Sequence, residues 1–278
     1  MDREIVVTAN INTKAMFIEF FGSCFICFTA GLCAVNMIFE KGGAFPALTF
    51  TSVPCLVQGL CTCYFYMIGR EISGAHFNPA VSLSFAITKK IDWMAFCIYV
   101  FFQLLGSLAG GVLISYMTPD SVERLLEASY PSPNTAFFNF WSLWGVETLS
   151  YFAVITVYLL SSGIEKDRVH HAAAFIGMTI AAVGMGAGFY TGNGTNMLRG
   201  IGPAIVQGGF TDTNNWVYYV GPIVGTTLAC LAFKYGLDSY SPFNGHGMVA
   251  ASNQSGQVVT NQVPANDGAQ RNDELTVR

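Results

Sequence analysis

Charge is what this sequence has least of. Asp, Glu, Lys and Arg make up 11% of its 278 residues, while 52% are hydrophobic. Soluble domains carry about 25% charged residues, so the deficit points to lipid, which penalises charge and tolerates apolar surface. The net charge of −4 and the lack of a large basic patch exclude a nucleic-acid partner. Catalytic signatures are missing too. No His-Glu-x-x-His run, activated-serine motif or phosphate loop occurs. No catalytic residue, cofactor or metal is therefore expected. A disulfide framework is also lacking. Cys24, Cys27, Cys33, Cys55, Cys61, Cys63, Cys97 and Cys230 all fall in apolar runs and read as packing residues. Met1 to Thr13 shows no cleavable leader pattern, and the apolar run after it is long enough to be a retained membrane helix.

What the sequence has is apolar runs of spanning length. Six of them, near Ala15–Phe39, Pro46–Gly69, Trp93–Met117, Phe138–Ser161, Ala172–Tyr190 and Trp216–Gly236, predict six membrane helices. Two shorter pieces, Asn78–Thr88 and Asn196–Val206, cannot cross roughly 30 Å of hydrocarbon at about 1.5 Å per residue. Each follows a glycine-bearing stretch, Ser73-Gly74-Ala75-His76 and Thr191-Gly192-Asn193-Gly194. Irregular backbone survives at membrane depth only where protein buries it or water lines it. The two pieces therefore read as re-entrant half helices around a polar cavity.

The chain also repeats itself. Glu19 in the first run and Glu147 in the fourth are each followed by a glycine-bearing turn and an asparagine, Asn78 and Asn196. Three spans per half invert the second half, which sets a site at the midplane where broken helices meet. The expected organisation is one all-α membrane domain over 1–236, with repeats near 13–117 and 138–236, and a polar disordered cytosolic tail over 237–278. With both termini inside, ten of the thirteen Lys and Arg residues fall on the inner side and Lys41, Arg124 and Arg199 on the outer. This asymmetry predicts cytoplasmic termini.

The stretch Ser73-Gly74-Ala75-His76-Phe77-Asn78-Pro79-Ala80-Val81 resembles the first-loop signature of the aquaporin, or major intrinsic protein, family. Thr191 to Asn196, Arg199 and Gly202-Pro203-Ala204 resemble its second loop, and Gln103, Gly106, Gly110, Gly221, Pro222 and Gly225 fit its third and sixth helices. The resemblance implies an aquaporin-like inverted repeat, a homotetramer in the lipid bilayer and a pore for water and small neutral solutes. It makes Asn78, Pro79, Ala80 and Asn196, Met197, Leu198 the paired pore motif. The second triplet departs from Asn-Pro-Ala. Met197 gives up proline's preset φ, and Leu198 is bulky where two half helices should touch.

By the same resemblance, Gln58, Gly184, Asn193 and Arg199 form the selectivity ring, with Gly184 expected to widen it. Carbonyls of Gly74, Ala75, His76, Gly192, Asn193 and Gly194 form an acceptor ladder. Glu19 and Glu147 anchor the re-entrant loops. His170 and His171, beside Lys166 and Arg168, are gating candidates, because histidine titrates near neutral pH. The ring lacks the Phe and His of water-selective members, and Gly200 stands where glycerol-conducting members carry Asp. Three readings stay open: a water channel passing other small solutes, a primarily glycerol- or urea-type facilitator, and a non-conducting structural or adhesion protein.

Overall fold

The structure, a computed structural model, describes residues 13–39, 47–164 and 166–237. Apart from Leu237, the expected tail lies outside the described residues, as does Lys41. The described chain is helical throughout. Helices α1 (Thr13–Phe39), α2 (Ala47–Ser73), α4 (Trp93–Met117), α5 (Phe140–Ser161), α6 (Val169–Thr191) and α8 (Val217–Ala232) correspond to the six expected spans. Between them lie the two short helices α3 (Pro79–Ile87) and α7 (Met197–Val206). Helix α8 continues into a wider-wound turn over Phe233–Leu237. Six helices among the described residues are long and apolar enough to cross a membrane. A 3-10 segment, Asp120–Ser129, was not foreseen in the linker between repeats. Its Leu126 packs with Val35 and Ile114 against α1 and α4.

The inverted repeat is legible residue by residue. A Cβ on Gly106 would overlap the Phe20 carbonyl, and a Cβ on Gly225 would overlap the Thr148 carbonyl. Phe20 and Thr148 are the residues after Glu19 and Glu147. Glycine thus lets α4 press onto α1, and α8 onto α5, at equivalent places. Close approach through small residues is how helices associate where lipid removes the hydrophobic drive. Aromatic side chains collect at one helix end: Phe138 stacks on Tyr190 at 4.1 Å and Phe140 on Trp216 at 3.8 Å. Trp141 stays 71% exposed there. Such amphipathic rings favour the membrane–water interface.

Candidate functional site

The site begins with two helix caps. Asn78, at φ −156° and ψ 125°, accepts from the Ala80 N–H at 3.1 Å and starts α3. Asn196, at φ −130° and ψ 116°, accepts from the Leu198 N–H at 3.0 Å and starts α7. A side-chain oxygen at the N-cap satisfies a backbone donor that the helix leaves orphaned. The amide nitrogens then cross the repeat axis: Asn78 Nδ2 donates to the Thr195 carbonyl at 3.0 Å, and Asn196 Nδ2 to the Phe77 carbonyl at 2.9 Å. Each amide thus commits one N–H to joining the half helices and keeps its second. Met197 leaves the cap geometry intact, and Leu198 is fully buried, so the departure from Asn-Pro-Ala does not open this junction.

Helix α7 is held from the side as well. The Ser107 hydroxyl of α4 donates to the Leu198 carbonyl at 2.5 Å and accepts from the Gly202 N–H at 3.1 Å. Those two groups stand one helical turn apart, so a side chain from another span is inserted beside the α7 ladder.

The two loops share a strained turn. Gly74 and Ala75 have φ of 89° and 55°, and Gly192 and Asn193 have 65° and 67°. Positive φ is open to glycine and tolerable for Asn, but costs Ala about 1–2 kcal/mol. Glu19 offsets this in the first loop. It accepts from the His76 and Phe77 N–H groups at 2.9 and 2.8 Å, the Ser73 hydroxyl at 2.5 Å and the Gln103 amide at 2.7 Å.

Glu147 is served less well. The Gly194 N–H donates to its Oε1 at 3.1 Å and the Thr191 hydroxyl, counterpart of Ser73, is a weaker second donor, while Oε2 has no close hydrogen bond among the described residues. Two substitutions between repeats account for this. Pro222 stands where the first repeat has Gln103, three residues before the tight glycine. The Thr195 N–H, counterpart of Phe77, is taken at 3.1 Å by Asn193 Oδ1.

Gln58, Gly184 and Arg199 come together around Asn193, the first two at its side chain and Arg199 at its backbone carbonyl. Asn193 Nδ2 donates to Gln58 Oε1 at 3.3 Å and to Cys55 Sγ at 3.1 Å, and Asn193 Oδ1 accepts from the Thr195 hydroxyl at 2.6 Å. Gln58 Nε2 donates to the Thr195 hydroxyl at 3.2 Å. Arg199 Nη1 donates to the Gly192 and Asn193 carbonyls at 2.9 and 3.1 Å, while its Nε is buried and has no partner among the described residues.

One expectation needs correction. Gly184 was expected to widen the ring, but a Cβ built there would meet the Asn193 amide, so that amide already fills the space the glycine vacates. Cys55 is buried as a packing residue should be, and its sulfur also accepts from Asn193 Nδ2. The carbonyl ladder is partly used internally: Gly192 and Asn193 serve Arg199, and Gly194 accepts from the Tyr151 hydroxyl. Tyr218 donates to the Thr191 carbonyl at 2.5 Å. Thr195 and Ser107 were missed by sequence reasoning. Thr195 adjoins the second asparagine and could have been weighed with it, whereas nothing local marks Ser107. Elsewhere, His170 and His171 at the start of α6 have ring centroids 4.2 Å apart, tilted by 38°. Among the described residues, no cluster of His, Cys, Asp and Glu suits a metal ion.

The sequence profile described as Major intrinsic protein matches residues 6–233. The chain belongs to the major intrinsic protein family. It is accordingly a multi-pass membrane channel and not an enzyme. The human lens fiber major intrinsic protein is 29% identical over 226 residues, spanning 80% of each chain. Aquaporin NIP1-1 of Zea mays is 32% identical over 221 residues, covering 78% of this chain and 72% of its own length. A probable NIP-type aquaporin of Nicotiana alata is 32% identical over 237 residues, covering 83% and 80%. The X-ray structure of the aquaglyceroporin from Plasmodium falciparum superposes with a TM-score of 0.70 at 22% identity, covering 80% of this chain and 96% of that one, a likeness of fold.

Proposed function

We propose that this channel conducts water together with small uncharged solutes bearing hydroxyl or amide groups, and excludes ions and protons. The observation that carries this reading is the ring itself. Gln58, Asn193, Thr195 and Arg199 present amides, a hydroxyl and a guanidinium where water-selective members present aromatic and imidazole walls. A polyol or urea offers donors and acceptors together, and so can exchange with the Gln58–Asn193 and Gln58–Thr195 bonds as it passes. Arg199 Nε supplies a further donor. Being buried, that donor costs free energy until something accepts from it.

Exclusion of charge follows from the caps and the arginine. The N-terminal ends of α3 and α7 meet at Asn78 and Asn196, and both carry the positive end of a helix dipole. The two remaining asparagine N–H groups would both donate to one passing water, which breaks the donor order of a proton wire. Arg199 adds a fixed positive charge, in keeping with the electrostatic barriers of aquaporin-type pores. We read the assembly as a homotetramer with one such pore per chain.

Stopped-flow light scattering on proteoliposomes tests the proposal. Shrinkage in an impermeant osmolyte should exceed that of empty liposomes. Glycerol or urea should then produce reswelling, while a trapped pH dye reports no proton leak. Arg199→Ala should retain water flux and admit larger or charged solutes. Water flux with no polyol or urea entry would refute the solute reading. No flux at all from folded protein would favour the structural role left open by Met197-Leu198.

A further inference from the structure

We infer that the chain binds an anionic phospholipid in a lysine-lined pocket on its flank, apart from the pore. A cavity of about 430 Å³ is lined by Ile87, Thr88, Lys89, Lys90, Thr227, Cys230, Leu231, Phe233 and Lys234. It lies between the end of α3 and the end of α8, and none of its residues belongs to the asparagine caps, the re-entrant loops or the Gln58–Asn193–Arg199 cluster.

Three lysines from the two halves of the chain converge on this one space. Lys89 is exposed and turns the backbone at φ 58°, the left-handed conformation that L side chains rarely adopt. Lys90 Nζ stands 5.4 Å over the Phe233 ring and Lys234 Nζ 5.3 Å over Tyr235. These aromatic contacts help to orient the two ammonium groups.

The apolar lining decides what kind of anion fits. Thr227 and Leu231 belong to the exposed stripe Val220, Ile223, Thr227, Leu231 of α8, whose spacing keeps all four on one helix face. Leu231 is 47% exposed and Ile87 39%. The pocket therefore opens at the foot of a lipid-facing stripe. A headgroup phosphate meets the lysines and the Thr88 and Thr227 hydroxyls while its acyl chains run along the stripe. A free phosphate would use only the first half of this surface. Basic pockets between membrane helices are known to take acidic headgroups, with each lysine near the surface contributing.

The test is native mass spectrometry of the full-length detergent-purified protein titrated with phosphatidylserine, phosphatidylcholine or inorganic phosphate. Phosphatidylserine should be retained in preference to phosphatidylcholine. The combined variant Lys89→Gln, Lys90→Gln, Lys234→Gln should lose roughly tenfold or more of that retention. Lys166→Gln, which removes one charge at the same membrane face outside the pocket, should keep it. Osmotic water flux of the combined variant should match the parent, which separates this site from the pore. Three outcomes would overturn the inference: equal retention of the two lipids, equal loss in Lys166→Gln, or displacement of phosphatidylserine by inorganic phosphate at comparable concentration.

Discussion

Glu19 and Glu147 occupy equivalent places in the two repeats and experience opposite degrees of satisfaction. Every oxygen of Glu19 faces donors, so converting one oxygen to an NH2 in Glu19→Gln sets donor against donor. With two bonds of about 1.5–3 kcal/mol each at stake, the loss should reach about 3 kcal/mol or more. Glu147 Oε2 has no close hydrogen bond among the described residues, and Glu147→Gln can turn its NH2 to that side while the amide oxygen keeps the Gly194 N–H and the Thr191 hydroxyl. Its cost should stay below about 1 kcal/mol. Thermal unfolding in detergent, followed by tryptophan fluorescence, should show a clear drop in Tm for the first variant and little change for the second. Equal drops would mean that Glu147 is fully bonded after all.

Helices α3 and α7 show how far sequence carries an element and where it stops. Their existence, their lengths and their capping asparagines were legible, because all three depend on residues adjacent in the chain. What secures α7 was not. Without the N1 proline that α3 enjoys, α7 is steadied by Ser107, a residue of α4 brought in only by the tertiary fold. Gly184 failed for the same reason: glycine's missing side chain is a local fact, but the amide that fills the gap comes from Asn193 in another segment. Cys55 joined the ring because α2 turns it toward that amide.

The Ser107 latch makes a prediction at this scale. Ser107→Ala would remove the hydroxyl that donates to the Leu198 carbonyl and accepts from the Gly202 N–H, leaving those two groups only each other within the α7 ladder. The change should cost about 1–3 kcal/mol of stability, lower Tm and reduce water flux as α7 loosens. Cys27→Ala removes the long 3.5 Å sulfur contact to the same hydroxyl together with one buried sulfur atom and should reduce water flux less. A Ser107→Ala protein with parental Tm and flux would show that α7 holds itself.

At the scale of the whole molecule, the unequal ends of the bundle set a direction. Arg70 donates to the Ile164 carbonyl and Lys166 pairs with Glu71 at 2.6 Å, so the end of α2 and the loop before α6 share one face. Helix order brings Lys89, Lys90 and Lys234 to that same face. Positive charge is retained on the cytoplasmic side during insertion, which argues for cytoplasmic termini. In intact cells, an epitope placed after Arg278 should resist added protease until the membrane is permeabilised. Thr135→Cys, in the exposed turn between α4 and α5, should react with a membrane-impermeant maleimide from outside, above the background of the parent chain. The reverse pattern would refute the orientation. It would also deprive the lysine pocket of its ligand, because anionic phospholipid is concentrated in the cytoplasmic leaflet. Orientation and lipid binding therefore stand as linked claims, one read from charge counted along the chain and the other from where the fold gathers it.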